Sequence, residues 1–267
     1  MVKLWALIRR YFFKFNFYFR WKLRFIYKIR YNLVPLTLLI QFRNEAENLP
    51  GFLANVCPKV NRIIALDDGS SDASASIVSS FENISLMSKP AVIPHYWNEP
   101  DNKRLLINEA LLENPHWVLV LDADERLERD FRDRANLAIH LAMRYQFTSI
   151  ALRLAELWNQ PTQFRADGIW GKKSRVRLFL LQQDYQLQAA DFHAGWNCAS
   201  QNNFEHIVPA DIYIYHLGML TQTQREMRKK KYKQLDPDDD WQSIGYDYLT
   251  DVNNLKLEKI RPERYFF

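Results

Sequence analysis

Residues 117–125 read Trp117-Val118-Leu119-Val120-Leu121-Asp122-Ala123-Asp124-Glu125, an uncharged apolar run that ends in three carboxylates within four positions. The run is short and rich in Val and Leu, as a strand buried on both faces of a parallel sheet requires, and such strands present ligand-binding residues at their carboxyl ends. Asp122, Asp124 and Glu125 are therefore expected at the mouth of a cleft. Carboxylates crowded there repel one another and resist desolvation unless a cation neutralises them, and hard oxygen ligands beside a diphosphate suit Mg2+ or Mn2+. The same residues also fit a solvated acidic turn that caps the following helix.

Working outward, residues 62–72 repeat the pattern: Arg62-Ile63-Ile64-Ala65-Leu66-Asp67-Asp68-Gly69-Ser70-Ser71-Asp72 is an apolar strand, two acids, a Gly-Ser turn and an acid where a helix begins. Upstream, residues 36–41 form an apolar strand that runs into Phe42-Arg43-Asn44-Glu45. Three strand-acid-helix units in order predict an α/β sheet with one shared ligand edge.

With these three motifs in place the chain resembles the family 2 glycosyltransferases of GT-A fold. The matching residues are Asn44-Glu45, Asp67-Asp68-Gly69-Ser70-Ser71-Asp72 and Asp122-Ala123-Asp124-Glu125, and the likeness covers residues 35–145. It implies a Rossmann-like single domain with a mixed, mostly parallel central sheet flanked by helices. It further implies that Asp67 or Asp68 accepts the imide hydrogen of a uracil-type base and that Asn44 and Glu45 line the nucleoside pocket. Asp122 would face ribose or metal-bound water, and Asp124 would be the main ligand of Mn2+ or Mg2+, which offsets charge on the leaving phosphate. In similar enzymes a basic residue of the helix before the acidic strand approaches the donor phosphates. Here Ile107 occupies that place, which leaves Lys103 and Arg104, one turn earlier, as substitutes or as a solvated helix end.

The general base of the family lies near an Arg-Leu-Phe strand followed by a His-Glu pair. This chain has Arg177-Leu178-Phe179 and Asp191-Phe192-His193-Ala194, with alanine in the glutamate slot. Asp191 is the first candidate, with Glu205 and Asp167 behind it. His216, after the alternating Ile212-Tyr213-Ile214-Tyr215, resembles the histidine that approaches metal or diphosphate in several GT-A enzymes, and imidazole suits Mn2+; a structural histidine at a strand end fits equally. Trp170 and Trp196 are acceptor candidates because aromatic faces stack on sugar rings, although core packing explains most tryptophans.

Local signals predict helices over 45–56 with Asn44 as cap, 72–81, 103–112 and 127–145, a turn at 99–102, short strand or loop over 84–87 and 91–94, strands over 147–154 and 175–181, and a loop over 155–174. The expected organisation is an arm over 1–34, a GT-A domain over 35–220 with a nucleotide-binding half (35–125) and an acceptor half (126–220), and a basic helix and tail over 221–267. In that tail Arg225, Arg228, Lys229, Lys230, Lys231 and Lys233 form either a solvated face or a cover for the donor or for lipid headgroups.

Charge separates the arm from the rest. Of the 36 basic residues nine lie in residues 1–34, which hold no acid, leaving 27 basic against 31 acidic residues beyond. The arm also carries twelve aromatics, Trp5, Phe12, Phe13, Phe15, Phe17, Phe19, Trp21 and Phe25 among them. No uncharged stretch of it approaches the roughly 20 residues a membrane span needs, and charges interrupt any secretory core. Cations interleaved with rings suit an interfacial helix on anionic lipid; packing on the domain or a partner, or nucleic acid, are the alternatives, with no nucleic acid expected. Cys57 and Cys198 stand far apart, which favours a reducing compartment and a fold not built on disulfides.

The expected function is a metal-dependent, inverting hexosyltransferase that uses a nucleotide-sugar donor, a UDP-sugar by family habit, on a lipid-linked or envelope glycan in polysaccharide biosynthesis, peripheral to the cytoplasmic face of a membrane. A nucleotidyltransferase is one alternative, although Gln41-Phe42-Arg43-Asn44-Glu45-Ala46 lacks the glycines of a phosphate loop. A non-catalytic scaffold that retains the fold is the other.

Overall fold

A computed structural model describes residues 2–27, 32–92, 98–112, 116–185, 187, 196, 206–240 and 242–267. Helix α1 (Val2–Tyr27) is followed by β1 (Leu36–Phe42), α2 (Leu49–Val56), β2 (Arg62–Asp67), α3 (Ser74–Ser79), β3 (Ile84–Ser88), α4 (Glu99–Leu111) and β4 (His116–Val120), the alternation of an α/β chain. Then come β5 (Glu125–Leu127), α5 (Phe131–Arg144), β6 (Ser149–Trp158), β7 (Gln160–Arg165), β8 (Ser174–Leu181), β9 (Ile207–His216), α6 (Gln222–Leu235) and β10 (Leu257–Lys259). The chain forms two compact units: Met1–Ala123 with Asp130–Arg153 and Ser174–Ile212, and Asp124–Arg129 with Leu154–Lys173 and Tyr213–Phe267.

The centre of the first unit is the parallel set β3-β2-β1-β4. Strand β8 joins β4 antiparallel, and residues 149–153 of β6 join β8. Apart from half-buried Gln41, β1 is buried throughout, which is why it reads as a continuous apolar run. Helix α4 covers this sheet with Leu106, Ile107 and Ala110 against Leu39, Ile64, Val118 and Val120. The Ile107 side chain thus belongs to the core, where a cation in its place would need a buried partner.

In the second unit β7 runs antiparallel to residues 157 and 158 of β6, β10 pairs with β7, and β5 pairs with the end of β9, Glu125 opposite His216. Two apolar clusters support it, one around Tyr215, Phe164 and Leu157, the other around Trp158, Trp170 and Met219. The buried Glu128 accepts from Arg264 Nε at 2.5 Å and Nη2 at 3.1 Å and from the Tyr213 N–H at 3.1 Å, which fastens the C-terminal segment to β9.

Several local expectations change. Helix α2 starts at Leu49, with Pro50 in its first turn, because Asn44 lies in the left-handed region (φ 54°) and serves a loop instead of a cap. Helix α4 starts at Glu99: Asn98 Oδ1 accepts from the Asp101 N–H at 3.2 Å, Pro100 sits in the first turn, and Glu99 and Asp101 suit the positive helix end. The helix expected from residue 127 begins only at Phe131, since residues 125–127 are held as a strand by β9. Strand β6 runs on to Trp158 and β7 fills much of the expected loop.

Candidate active site

The parallel registers bring three acidic loops to one edge of the first unit. Phe42 lies opposite Asp67, and Leu39 opposite Val120, so the chain leaves β1, β2 and β4 at neighbouring points. The Asp68 N–H extends the ladder to the Phe42 carbonyl at 2.9 Å, and the Leu121 N–H reaches the Leu39 carbonyl at 3.4 Å.

The loops after β1 and β2 are bonded into one rim. The Ser71 N–H donates to Asn44 Oδ1 (2.8 Å), the Asn44 N–H to Ser70 Oγ (3.0 Å) and the Glu45 N–H to Ser74 Oγ (2.8 Å). Asp72 spans both, one oxygen accepting from the Ser74 N–H at 2.9 Å and the other from the Ala46 N–H at 3.2 Å. Asp67 Oδ1 accepts from the Ser70 N–H at 2.9 Å, so this carboxylate shapes the turn. Gly69 has φ 77°, and a Cβ there would stand 2.9 Å from the Pro90 carbonyl oxygen. Buried Asp68 pairs with Lys89 Nζ at 3.2 Å. Asp122 is half exposed and accepts from Arg177 Nη2 at 2.9 Å.

Lys103 is buried, 2.6 Å from Glu99 Oε1 and 5.2 Å above the Trp196 ring; Arg104 is exposed and pairs with Asp101. The Tyr185 hydroxyl donates to the Trp196 carbonyl, and Trp196 packs in the α4 core. Asp191 and Glu205, the two candidate bases, lie outside the described residues.

The second unit holds a chain of charges centred on His216. Its Nδ1 meets Glu156 Oε2 and its Nε2 lies 2.9 Å from Asp124 Oδ2. Lys173 donates to the other Glu156 oxygen at 3.0 Å, and Arg228 Nη2 stands 3.7 Å from Asp124 Oδ2. Burial by itself lowers the His216 pKa, but Asp124 and Glu156 outweigh it and push it up to about 10. Burial raises the Asp124 and Glu156 carboxyls, yet His216, with Arg228 or Lys173, holds both below the usual range. Gly218 closes over this cluster: a Cβ there would lie 2.5 Å from Asp124 Oδ2 and 2.9 Å from His216 Nε2. In the same unit Trp170 is buried against Trp158, and Asp167 is held by Arg165 in a two-pronged pair at 2.9 Å.

These contacts test how the residues suit a divalent ion. Among the described residues no three His, Cys, Asp or Glu side chains gather into a metal site. His216 carries a proton on each nitrogen when both face carboxylates, so in this arrangement it is a cation beside Asp124 and has no lone pair for a metal. The Asp122 and Asp124 carboxylates have the hard oxygen chemistry of Mg2+ and Mn2+ sites, and each is balanced by cations of the chain.

Sequence reasoning did not single out Glu156, Lys173, Lys89 or Gly218, and it used Arg177 only as a landmark. Glu156 lies 60 residues from its histidine. The one available signal was the His216-Leu217-Gly218 run, where a glycine follows a histidine at a strand end.

Comparison with known proteins finds no match among curated proteins, whereas residues 37–135 match the family model described as glycosyl transferase family 2. Similar solved structures include a glucosyl-3-phosphoglycerate synthase from Mycobacterium tuberculosis in complex with uridine diphosphate, at 18% identity over 34% of each chain and a TM-score of 0.27. They also include a mycobacterial protein, at 11% identity over 73% of each chain and a TM-score of 0.41. A third is a mannose-1-phosphate geranyltransferase from Thermus thermophilus, at 16% identity over 55% of this chain and 50% of that one, with a TM-score of 0.32. The match spans about a third of the synthase's length, and likenesses this distant carry no inference about substrate. The matched segment, residues 37–135, is the one that holds β1, β2, β4 and their acidic loops, and it is similar to glycosyl transferase family 2.

Proposed function

We propose that the protein is a glycosyltransferase that moves a hexosyl group from a nucleotide-sugar donor, a UDP-sugar, to a lipid-linked or envelope glycan at the cytoplasmic face of a membrane, with inversion. The observation that carries this reading is the arrival of three acidic loops at neighbouring parallel strand ends inside the family-matched segment. The Asn44–Ser71 and Asp72 bonds prearrange the rim on which a nucleoside would rest, and Gly69 lets its turn pack closely against the Pro90 backbone. Asp67 and Asp68 are the proposed base-reading carboxylates, with Lys103 and Arg104 as the proposed cations of the donor helix.

In the transfer the acceptor hydroxyl oxygen attacks the anomeric carbon while the bond from that carbon to the diphosphate oxygen breaks. The hydroxyl proton passes to a carboxylate base, for which Asp191 and Glu205 are proposed. Asp122 and Asp124 would hold Mn2+ or Mg2+, which when bound offsets charge on the leaving diphosphate.

The test is turnover of a UDP-sugar panel with a lipid-linked glycan acceptor. The wild type is expected to release UDP, and Asp68→Asn or Asp124→Ala to lower the rate by about 100-fold or more, as loss of charge placement in a closed site does. Nucleotide binding in calorimetry without any turnover would favour the scaffold, and wild-type rates in Asp124→Ala would remove that residue from the reaction.

A further inference from the structure

Arg9, Arg10 and the Phe13 and Phe17 rings share one flank of α1, and Leu4, Tyr11, Phe15 and Phe19 lie on the other. Ala6, Phe13 and Phe17 are buried, and Phe13 meets Phe147 edge to face at 6.1 Å. Arg10 Nη2 donates to the Ile207 carbonyl at 2.6 Å, Arg9 Nη1 to the Tyr145 carbonyl at 3.3 Å, and the Arg9 guanidinium lies 5.2 Å from the Phe147 ring. Asn16 donates to the Tyr145 hydroxyl at 3.0 Å. The flank of the helix that holds these groups therefore faces its own unit. The other side is apolar: Leu4 (62% exposed), Tyr11 (67%), Phe15 (55%) and Phe19 (51%) follow helical spacing, with Phe12 beside them. So many rings in water on one helix mark an interaction surface.

We infer that this outward face enters an anionic membrane surface, the rings sinking to the acyl boundary with the helix in the plane of the leaflet, while the inward arginines hold it to the protein. Three observations select lipid over a second copy. Among the described residues the exposed charges of the helix, Lys14 and Lys22, are both cations, and residues 1–34 hold no acid, so two copies laid face to face would bring like charges together. Exposed Lys14 and Lys22 belong to the same helix and can meet lipid phosphates. Hydroxyl-bearing Tyr11 and Tyr18 suit the boundary between headgroups and chains. No helix among the described residues is long and apolar enough to cross a membrane, which agrees with a helix lying flat. The arrangement departs from the simpler expectation in which rings enter and all the basic residues face lipid: most of the grip comes from the rings. This deepens the membrane-face reading above and rests on it for the choice of leaflet.

Flotation of the full-length protein with phosphatidylcholine vesicles, with and without phosphatidylglycerol, tests the inference. The wild type should float with the mixed vesicles. The triple variant Phe12→Ser/Phe15→Ser/Phe19→Ser should lose about tenfold or more in partitioning, since interfacial binding scales with buried apolar area, and should keep its circular dichroism because these rings are exposed. Lys14→Gln/Lys22→Gln should weaken binding by only a few-fold. Failure of the wild type to float, or undiminished flotation of the triple variant, overturns the inference, as does a dimer in ultracentrifugation that the triple change abolishes. UDP-sugar turnover with a soluble acceptor separates the two readings: lost flotation with turnover retained sinks the surface alone, and flotation without turnover sinks the transferase alone.

Discussion

Gly218 has no side chain because Asp124 and His216 fill the space one would need, the nearest carboxylate oxygen being 2.5 Å from where a Cβ would stand. Gly218→Ala should therefore displace both groups, cost about 1–3 kcal/mol of stability as overpacking does and lower turnover, with melting temperature and rate measured on one preparation. The cluster also predicts a pH profile. His216, with its pKa raised to about 10, contributes its full stability below the free imidazole's pKa of about 6.5 and loses that contribution as pH rises through about 10. Asp124 and Glu156, both depressed, contribute above the free carboxylate range of about 4 and lose it as pH falls below. In buffer without added divalent ions, the melting-temperature advantage of the wild type over His216→Gln should be widest between about pH 4 and about pH 6.5 and narrow from there to about pH 10. A constant gap over that range would show that the ring is not charged. Asp124 and His216 stood out in the sequence, but the part played by Glu156 could not be read from it, because Glu156 sits in a stretch whose Pro161, Gly168 and Gly171 spell loop.

At the scale of elements the legible parts were those whose signal is local. The apolar runs of β1, β2 and β4 are followed within a few residues by acids, so both the strands and the edge at which their acidic loops gather could be foreseen. The starts of helices were harder. Glu99-Pro100-Asp101 spells a turn and the first turn of a helix with the same letters, and Asn98 as cap decides between them. Pro161 reads as a breaker, yet it lies in β7 ahead of the residues that pair with β10, where a missing N–H costs no ladder bond to that strand. The clamp between Glu128 and Arg264 joins residues 136 apart and carries no sequence signal at all. Arg264→Ala should leave the Glu128 charge buried without its partner and cost about 3–5 kcal/mol in denaturant unfolding; a loss below about 1 kcal/mol would mean that water takes the arginine's place.

For the molecule as a whole, charge is distributed as the composition alone does not reveal. The formal net charge of +5 is the sum of an arm at +9 and a remainder at −4. Removing residues 1–34 should abolish retention on a cation exchanger at neutral pH. It should also promote association, because Phe13 and Phe17 no longer cover their neighbours, and light scattering will report it. The arm's composition sets it apart as basic and aromatic; which groups face inward was invisible, because the Tyr145 and Ile207 carbonyls that take the arginines are set by the fold.

Asp72 grips a backbone amide from each of two separate turns with its two oxygens. Those turns cannot open independently: a fluctuation that frees one strips a proton acceptor from the other. Deuterium uptake at the Ala46, Ser71 and Ser74 amides should accordingly rise in step when Asp72 is replaced by alanine, because in the native protein the two turns move as one shelf.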